Sequence, residues 1–373
     1  MLELSHEDML RLNVLVMNVE AVRIDERTMT VYGLSARGEA KVHLNPTGRP
    51  AVYLKAVREF LSSAALGSAS GYPVHLNRWT RMGQARDTNL AKLLMLGEPE
   101  AITAVVCAPG LTDDLARRAW WADPVSETAR RMLARECVVD GSMGKVLADF
   151  LVEHLPFETE ARVMIDTVRL VLQPGLVSAE TRQRLWDKGA TDGAYRIGFL
   201  QAEPDSLPDP LPARADAAVM DAELAALGER GNVLAALLRR ALGTGGQSFL
   251  ASCERVLQKP TEQDAVVALL NTLSGYFRPV RHTEAASQDV AAMVEDAQAA
   301  ATREPQAQEL LTALPTLQHE VVAVYALARM DEAIVTPIFA RSSASGSLMR
   351  RKIEPVIRPV LDQIAVLRGA GHG

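Results

Sequence analysis

Residues 112–133, TDDLARRAWWADPVSETARRML, decide the fold. Thr112 can cap a helix whose first turn carries Asp113 and Asp114, and Asp123-Pro124 stops that helix and begins the next. Trp120 and Trp121 are adjacent, so on a helix their rings point about 100° apart and both are covered only where the helix is enclosed. Short punctuated helices that each bury one face on a neighbour are the pattern of a helical-repeat array.

Moving outward, helix starts near 98, 112, 124 and 142 follow one another at irregular spacing. Ahead of them, residues 20–44 alternate: Val22 and Ile24, Met29 and Val31, then Ala40, Val42 and Leu44 are apolar, with polar turns at 25–27 and 35–38. This is a small β-meander. Two or three strands alone are marginal in water, so it needs helices against it, the nearest being residues 50–62 with Tyr53, Val57, Phe60 and Leu61 on one face. Residues 201–212, QAEPDSLPDPLP, carry four prolines and three acids, which continue neither a helix nor a central strand. Beyond them the chain is rich in Ala and Leu, and Val321 to Ala328 is apolar almost all round, the mark of a buried central helix.

The expected fold is therefore mainly α, a helical-repeat-like array of short helices with a small N-terminal β-meander and an all-α C-terminal bundle or solenoid. The expected parts are an α+β subdomain (1–66), a short-helix domain (67–200), a Pro/acid-rich linker (201–212) and an all-α domain (213–373).

The 373 residues are 48% hydrophobic and 23% charged, an ordinary globular balance. A net charge of −6 argues against the broad cationic surface that nucleic-acid binding needs. The start MLELSHEDML has acids where a secretory signal is basic, and no apolar run approaches the roughly 18 residues of a membrane span. Three widely spaced cysteines form neither a disulfide framework nor a zinc motif, so a cytoplasmic chain without metal or cofactor is expected.

Residues 67–86, GSASGYPVHLNRWTRMGQAR, concentrate costly side chains: Tyr72, His75, Arg78, Trp79, Arg81 and Arg86 can form a binding surface in which guanidinium groups hold an anion and the rings stack. The alternative places Trp79 in the core and the arginines in ordinary ion pairs. A second patch, Arg350, Arg351 and Lys352, follows a polar Ser-rich loop and precedes Pro355 and the stripe Val356, Val360, Ile364 and Leu367. It can grip an acidic partner or an anion, or simply be a solvated loop before a docking helix.

Cys107 and Cys137 are the candidate nucleophiles. Cys107 sits among Val105, Val106 and Ala108, where a buried, inert thiol is expected. Cys137 follows Arg135 and Glu136 at an expected helix C-terminus, which raises a thiol pKa. Residues 243–248, GTGGQS, lack the lysine of a phosphate loop and read as a linker with a Ser or Thr cap. His319-Glu320 opens a metalloprotease pattern, but Ala323 stands where the second ligand belongs.

SHEDMLRLNVLV (5–16), GYPVHLNRWTRMGQAR (71–86), LLMLGEPEAITAVVCAPGLTDDLARRAWW (93–121), EHLPFE (153–158), LQPGL (172–176) and YRIGFL (195–200) together resemble the DsrS family. These are soluble sulfur-pathway proteins encoded with dissimilatory sulfite reductase in sulfur-oxidising bacteria. The resemblance covers about residues 5–200 and carries over no catalytic residue. It implies a cytoplasmic accessory or regulatory role in sulfur oxidation with a protein partner from that pathway. A cysteine-dependent persulfide-transfer enzyme is the alternative, and a nucleic-acid-binding regulator acting through Arg350 to Lys352 the weaker one.

Overall fold

The computed structural model describes residues 4–67, 87–281 and 289–369. They are mainly helical, with a small three-stranded antiparallel sheet near the N-terminus and an all-helical C-terminal region, the architecture the sequence pattern predicts. The chain forms two compact units, residues 1–156 with 173–177 and residues 157–172 with 178–373.

The first unit opens with α1 (His6–Val16), capped by Ser5, whose hydroxyl accepts from the Asp8 amide at 3.1 Å. The meander follows as β1 (Ala21–Asp25), β2 (Thr30–Ser35) and β3 (Gly38–His43), in the order β1-β2-β3. Its register pairs Ile24 with Val31 and Val31 with Val42, and likewise Val22 with Gly33 and Gly33 with Ala40, so the alternating apolar positions share one face. The approach of α1 to that face depends on Gly33, because a Cβ there would lie 2.5 Å from Val19 Cγ1 and 3.0 Å from Leu15 Cδ1. Leu12, Leu15, Val22, Val31 and Val42 join Tyr53, Leu54, Val57 and Leu61 of α2 (Pro50–Leu66) in one core. Within it the Tyr53 hydroxyl donates to Asp8 Oδ2 at 2.5 Å, and burial raises the pKa of that phenol.

Among the described residues this unit continues with α3 (Asp87–Leu93), α4 (Pro99–Cys107), α5 (Asp113–Ala122), α6 (Ser126–Leu133), α7 (Glu136–Val139) and α8 (Ser142–His154). Their starts follow the sequence punctuation, with Pro99 at the first turn of α4 and Thr112 capping α5. The two tryptophans of α5 diverge, as adjacent helical residues must. Trp120 packs edge-on against Phe150 of α8 at 4.7 Å, while Trp121 turns to the sheet, donates to Glu39 at 3.2 Å and lies over the guanidinium of Arg23.

The second unit contains α9 (Ala161–Val171), α10 (Ala179–Lys188), α11 (Gly193–Ala202), α12 (Ala217–Glu229), α13 (Val233–Leu242), α14 (Thr244–Gln258), α15 (Gln263–Phe277), α16 (Val290–Arg303), α17 (Pro305–Ala313), α18 (Gln318–Leu327), α19 (Thr336–Phe339) and α20 (Gly346–Leu367). The apolar helix α18 is buried on nearly every side, as its composition requires. Residues 201–212 belong to this unit. Asp205 pairs with Arg240 at 2.6 Å, Asp209 accepts from the Trp186 indole at 2.5 Å, and the Leu211 amide donates to Ser248 Oγ at 2.8 Å.

Two local expectations are corrected here. Residues 243–248 are not a linker: Gly243 is extended and Thr244 begins α14, so the stretch is mostly its first turn, closed by Ser248 Oγ on the Thr244 carbonyl at 2.7 Å. The segment around Arg350 is not a loop, because α20 begins at Gly346 and continues through Pro355 and Pro359. Its buried stripe is Met349, Ile353, Ile357, Val360, Ile364 and Leu367, so Ile357 rather than Val356 faces the core. Packing along that stripe outweighs the backbone hydrogen bonds that two prolines remove.

Candidate functional site

The first binding surface read from the sequence, Tyr72, His75, Arg78, Trp79, Arg81 and Arg86, lies outside the described residues. The second is divided. The Arg350 guanidinium donates to the Pro260 carbonyl at 3.1 Å and Lys352 Nζ donates to Ser342 Oγ at 2.7 Å, while Arg351 is exposed. With Arg358, Glu354 and the apolar Ile353 and Ile357, the arginines border a groove of about 510 Å³ beside Leu257. Arg350 and Arg351 thus share one groove with Arg358, while Lys352 is turned to Ser342.

Cys107 is exposed, contrary to the expectation of a buried thiol. The reason is its place as the last residue of α4: Ile102, Val105 and Val106 fill the core, and the final position turns away from it. Arg131 of α6 holds its Nη1 3.4 Å from Cys107 Sγ, and Arg135 donates to the Cys107 carbonyl. Burial draws the Arg131 pKa down, but hydrogen bonds to Glu127 and Cys107 more than offset that and keep it above its ordinary value.

Cys137 is also exposed and is the second residue of α7, not the end of the preceding helix. Its thiol donates to the Leu111 carbonyl at 3.1 Å. Cys253 is fully buried, and desolvation pushes its thiol pKa far up.

One feature of the first unit was not read from the sequence. Leu12 and Leu15 of α1 face the core, yet Leu10, Val14 and Met17 on its other flank are 55%, 65% and 85% exposed. This ridge borders a groove that runs between α1 and β3, has a volume of about 910 Å³ and is lined by apolar Leu10, Val14, Val19 and Ala40 with Arg11, Arg37 and Lys41. β3 is exposed at every residue except Val42. The available signal was an α1 sequence apolar on two flanks when one suffices for the core.

Comparison with known protein families, characterised proteins and solved structures returns no match. No helix among the described residues is long and apolar enough to cross a membrane, and none of their His, Cys, Asp and Glu side chains gather in a group of three or more able to hold a metal ion.

Proposed function

We propose that the chain is a cytoplasmic accessory protein of dissimilatory sulfur oxidation that works by holding a protein partner. The observation that carries the partner-binding part is the exposed ridge Leu10, Val14 and Met17 beside the α1/β3 groove. Apolar side chains grouped on one helix flank next to a concavity are surface that association covers. The pathway rests on the resemblance of residues 5–200 to the DsrS family.

Affinity capture with the tagged full chain from sulfur-grown cells tests both parts. Sulfite reductase subunits or small sulfur-carrier proteins are expected with the native chain and are lost with Leu10→Asp/Val14→Asp. Identical captures from the two chains would refute the ridge as the docking surface, and capture of proteins unrelated to sulfur oxidation would refute the pathway.

A second reading is favoured by Cys107, an exposed thiol with a guanidinium 3.4 Å away. Cys107 Sγ, as a thiolate, can attack the outer sulfur of a persulfide donor, forming an Sγ–S bond as the donor S–S bond breaks and the donor leaves as its thiol, which requires no external oxidant. Incubation with a persulfide donor followed by mass spectrometry should give a +S adduct on Cys107 that Cys107→Ser lacks; an unmodified Cys107 excludes this reading.

A further inference from the structure

We propose that the free edge of β3, with the groove beside it, takes an extended acidic segment of a partner protein as an added fourth strand. This rests on the partner-binding reading above, but not on the pathway.

The backbone supplies the first argument. Leu44 donates from its amide to the Met29 carbonyl at 2.8 Å, which continues the register in which 31/42, 33/40 and 35/38 are the directly bonded pairs. Glu39, Lys41 and His43 therefore direct their N–H and C=O groups away from β2. They make no backbone hydrogen bond beyond the sheet among the described residues. A row of such groups on an exposed strand is a template for another strand.

Charge supplies the second. The chain is acidic overall, yet the groove lining contains Arg11, Arg37 and Lys41 and no Asp or Glu. Arg11 is held by Glu7, whereas Arg37 and Lys41 have no ion pair among the described residues. Leu10, Val14 and Ala40 provide apolar contact between these cations. Side chains of an added strand alternate between two directions, so a segment alternating acidic and apolar residues matches both the cations and the apolar wall. A second copy of this chain would instead bring its own Arg37 and Lys41 against these, the one acid of its β3, Glu39, being already paired with Arg23 at 2.9 Å.

The probe is a fluorescein-labelled peptide of alternating Glu and Val as long as β3, titrated by anisotropy against the full chain, with a Lys/Val peptide of the same length as control. Saturable binding of the Glu/Val peptide is expected, weakening with salt and roughly ten-fold tighter than the control. Lys41→Pro removes one outward N–H while leaving the β2 ladder intact, and should weaken binding roughly ten-fold more than Lys41→Ala at unchanged melting temperature. Arg37→Glu/Lys41→Glu should reverse the peptide preference and provides the test if the proline variant unfolds. Hydrogen exchange of residues 39, 41 and 43 should slow when the peptide is bound.

Equal affinity for both peptides, no binding, or Lys41→Pro and Lys41→Ala behaving alike would each overturn the proposal. Protection of the same amides without peptide, with a mass that doubles as concentration rises, would overturn it in favour of a second copy. Because the peptides are synthetic, failure here is separate from a failed capture of sulfur-pathway proteins.

Discussion

Asp113 of α5 caps α8 at the position left open by Gly141. Its carboxylate accepts from the backbone amides of Ser142 at 2.9 Å and Met143 at 3.0 Å and from the Ser142 hydroxyl at 2.7 Å. A Cβ on Gly141 would collide with that carboxylate, so the residue before α8 has no side chain and the cap comes from a helix 29 positions earlier. The N-terminal amides of α8 are thereby tied to the start of α5.

Replacing Asp113 with Ala should destabilise the first unit by roughly 1–3 kcal/mol, read as a lower urea midpoint. Burial opposes ionisation of Asp113, but the Ser142 hydroxyl and the two amides outweigh it and hold its pKa below the ordinary 3.8. A carboxylate depressed in the folded state contributes stability that is complete above its unfolded pKa and is lost as pH falls through the lower folded value. Acid titration of stability should therefore be shallower in Asp113→Asn than in the native chain; equal slopes would show that the cap carries no charge-dependent stability.

Arg214 and Glu320 form a 2.8 Å ion pair in the second unit with both side chains 7% exposed. Removing one partner strands the other, so Glu320→Ala should cost roughly 3–5 kcal/mol. Replacing both with Met should cost less than Glu320→Ala alone, although Arg214 also pairs with Asp216. Thermal melting of the two variants separates a stranded charge from simple loss of packing.

Burial pushes the Tyr325 phenol up to about 12. The unfolded chain ionises this group near 10.0 while the folded chain keeps it neutral, so the unfolded state loses its proton first. Stability from this residue is complete below that unfolded value and falls as pH rises through the folded one. Tyr325→Phe should flatten the loss of stability in that alkaline window, measured by denaturant unfolding.

Thiol accessibility should divide the cysteines. Cys107 and Cys137 should alkylate with iodoacetamide in the native protein, and Cys253 only after denaturation. Mass spectrometry of the native adducts checks this, and modification of Cys253 without unfolding would contradict its burial.

Much of the fold was legible because it is written in short-range pattern. Val22, Ile24, Val31, Ala40 and Val42 alternate with period two and share one face of the sheet, and helix starts at Pro99 and Asp113 follow local stop and cap chemistry. Misreadings arose where tertiary packing overrides local preference. Pro355 and Pro359 remain inside α20 because its apolar stripe is anchored, and Cys107 is exposed because its apolar neighbours use the available core. The α1/β3 groove was legible only as an α1 sequence apolar on two flanks, since an apolar residue such as Val14 looks the same in sequence whether it faces the core or the solvent.

The two margins of the sheet are unequal. Among the described residues the outward amides of β3 are unbonded, whereas the β1 residue Val22 donates its amide to the Leu94 carbonyl at 2.9 Å. The ribbon is therefore directional: an incoming strand finds a continuous row of partners along β3, while along β1 that row is already interrupted at Val22.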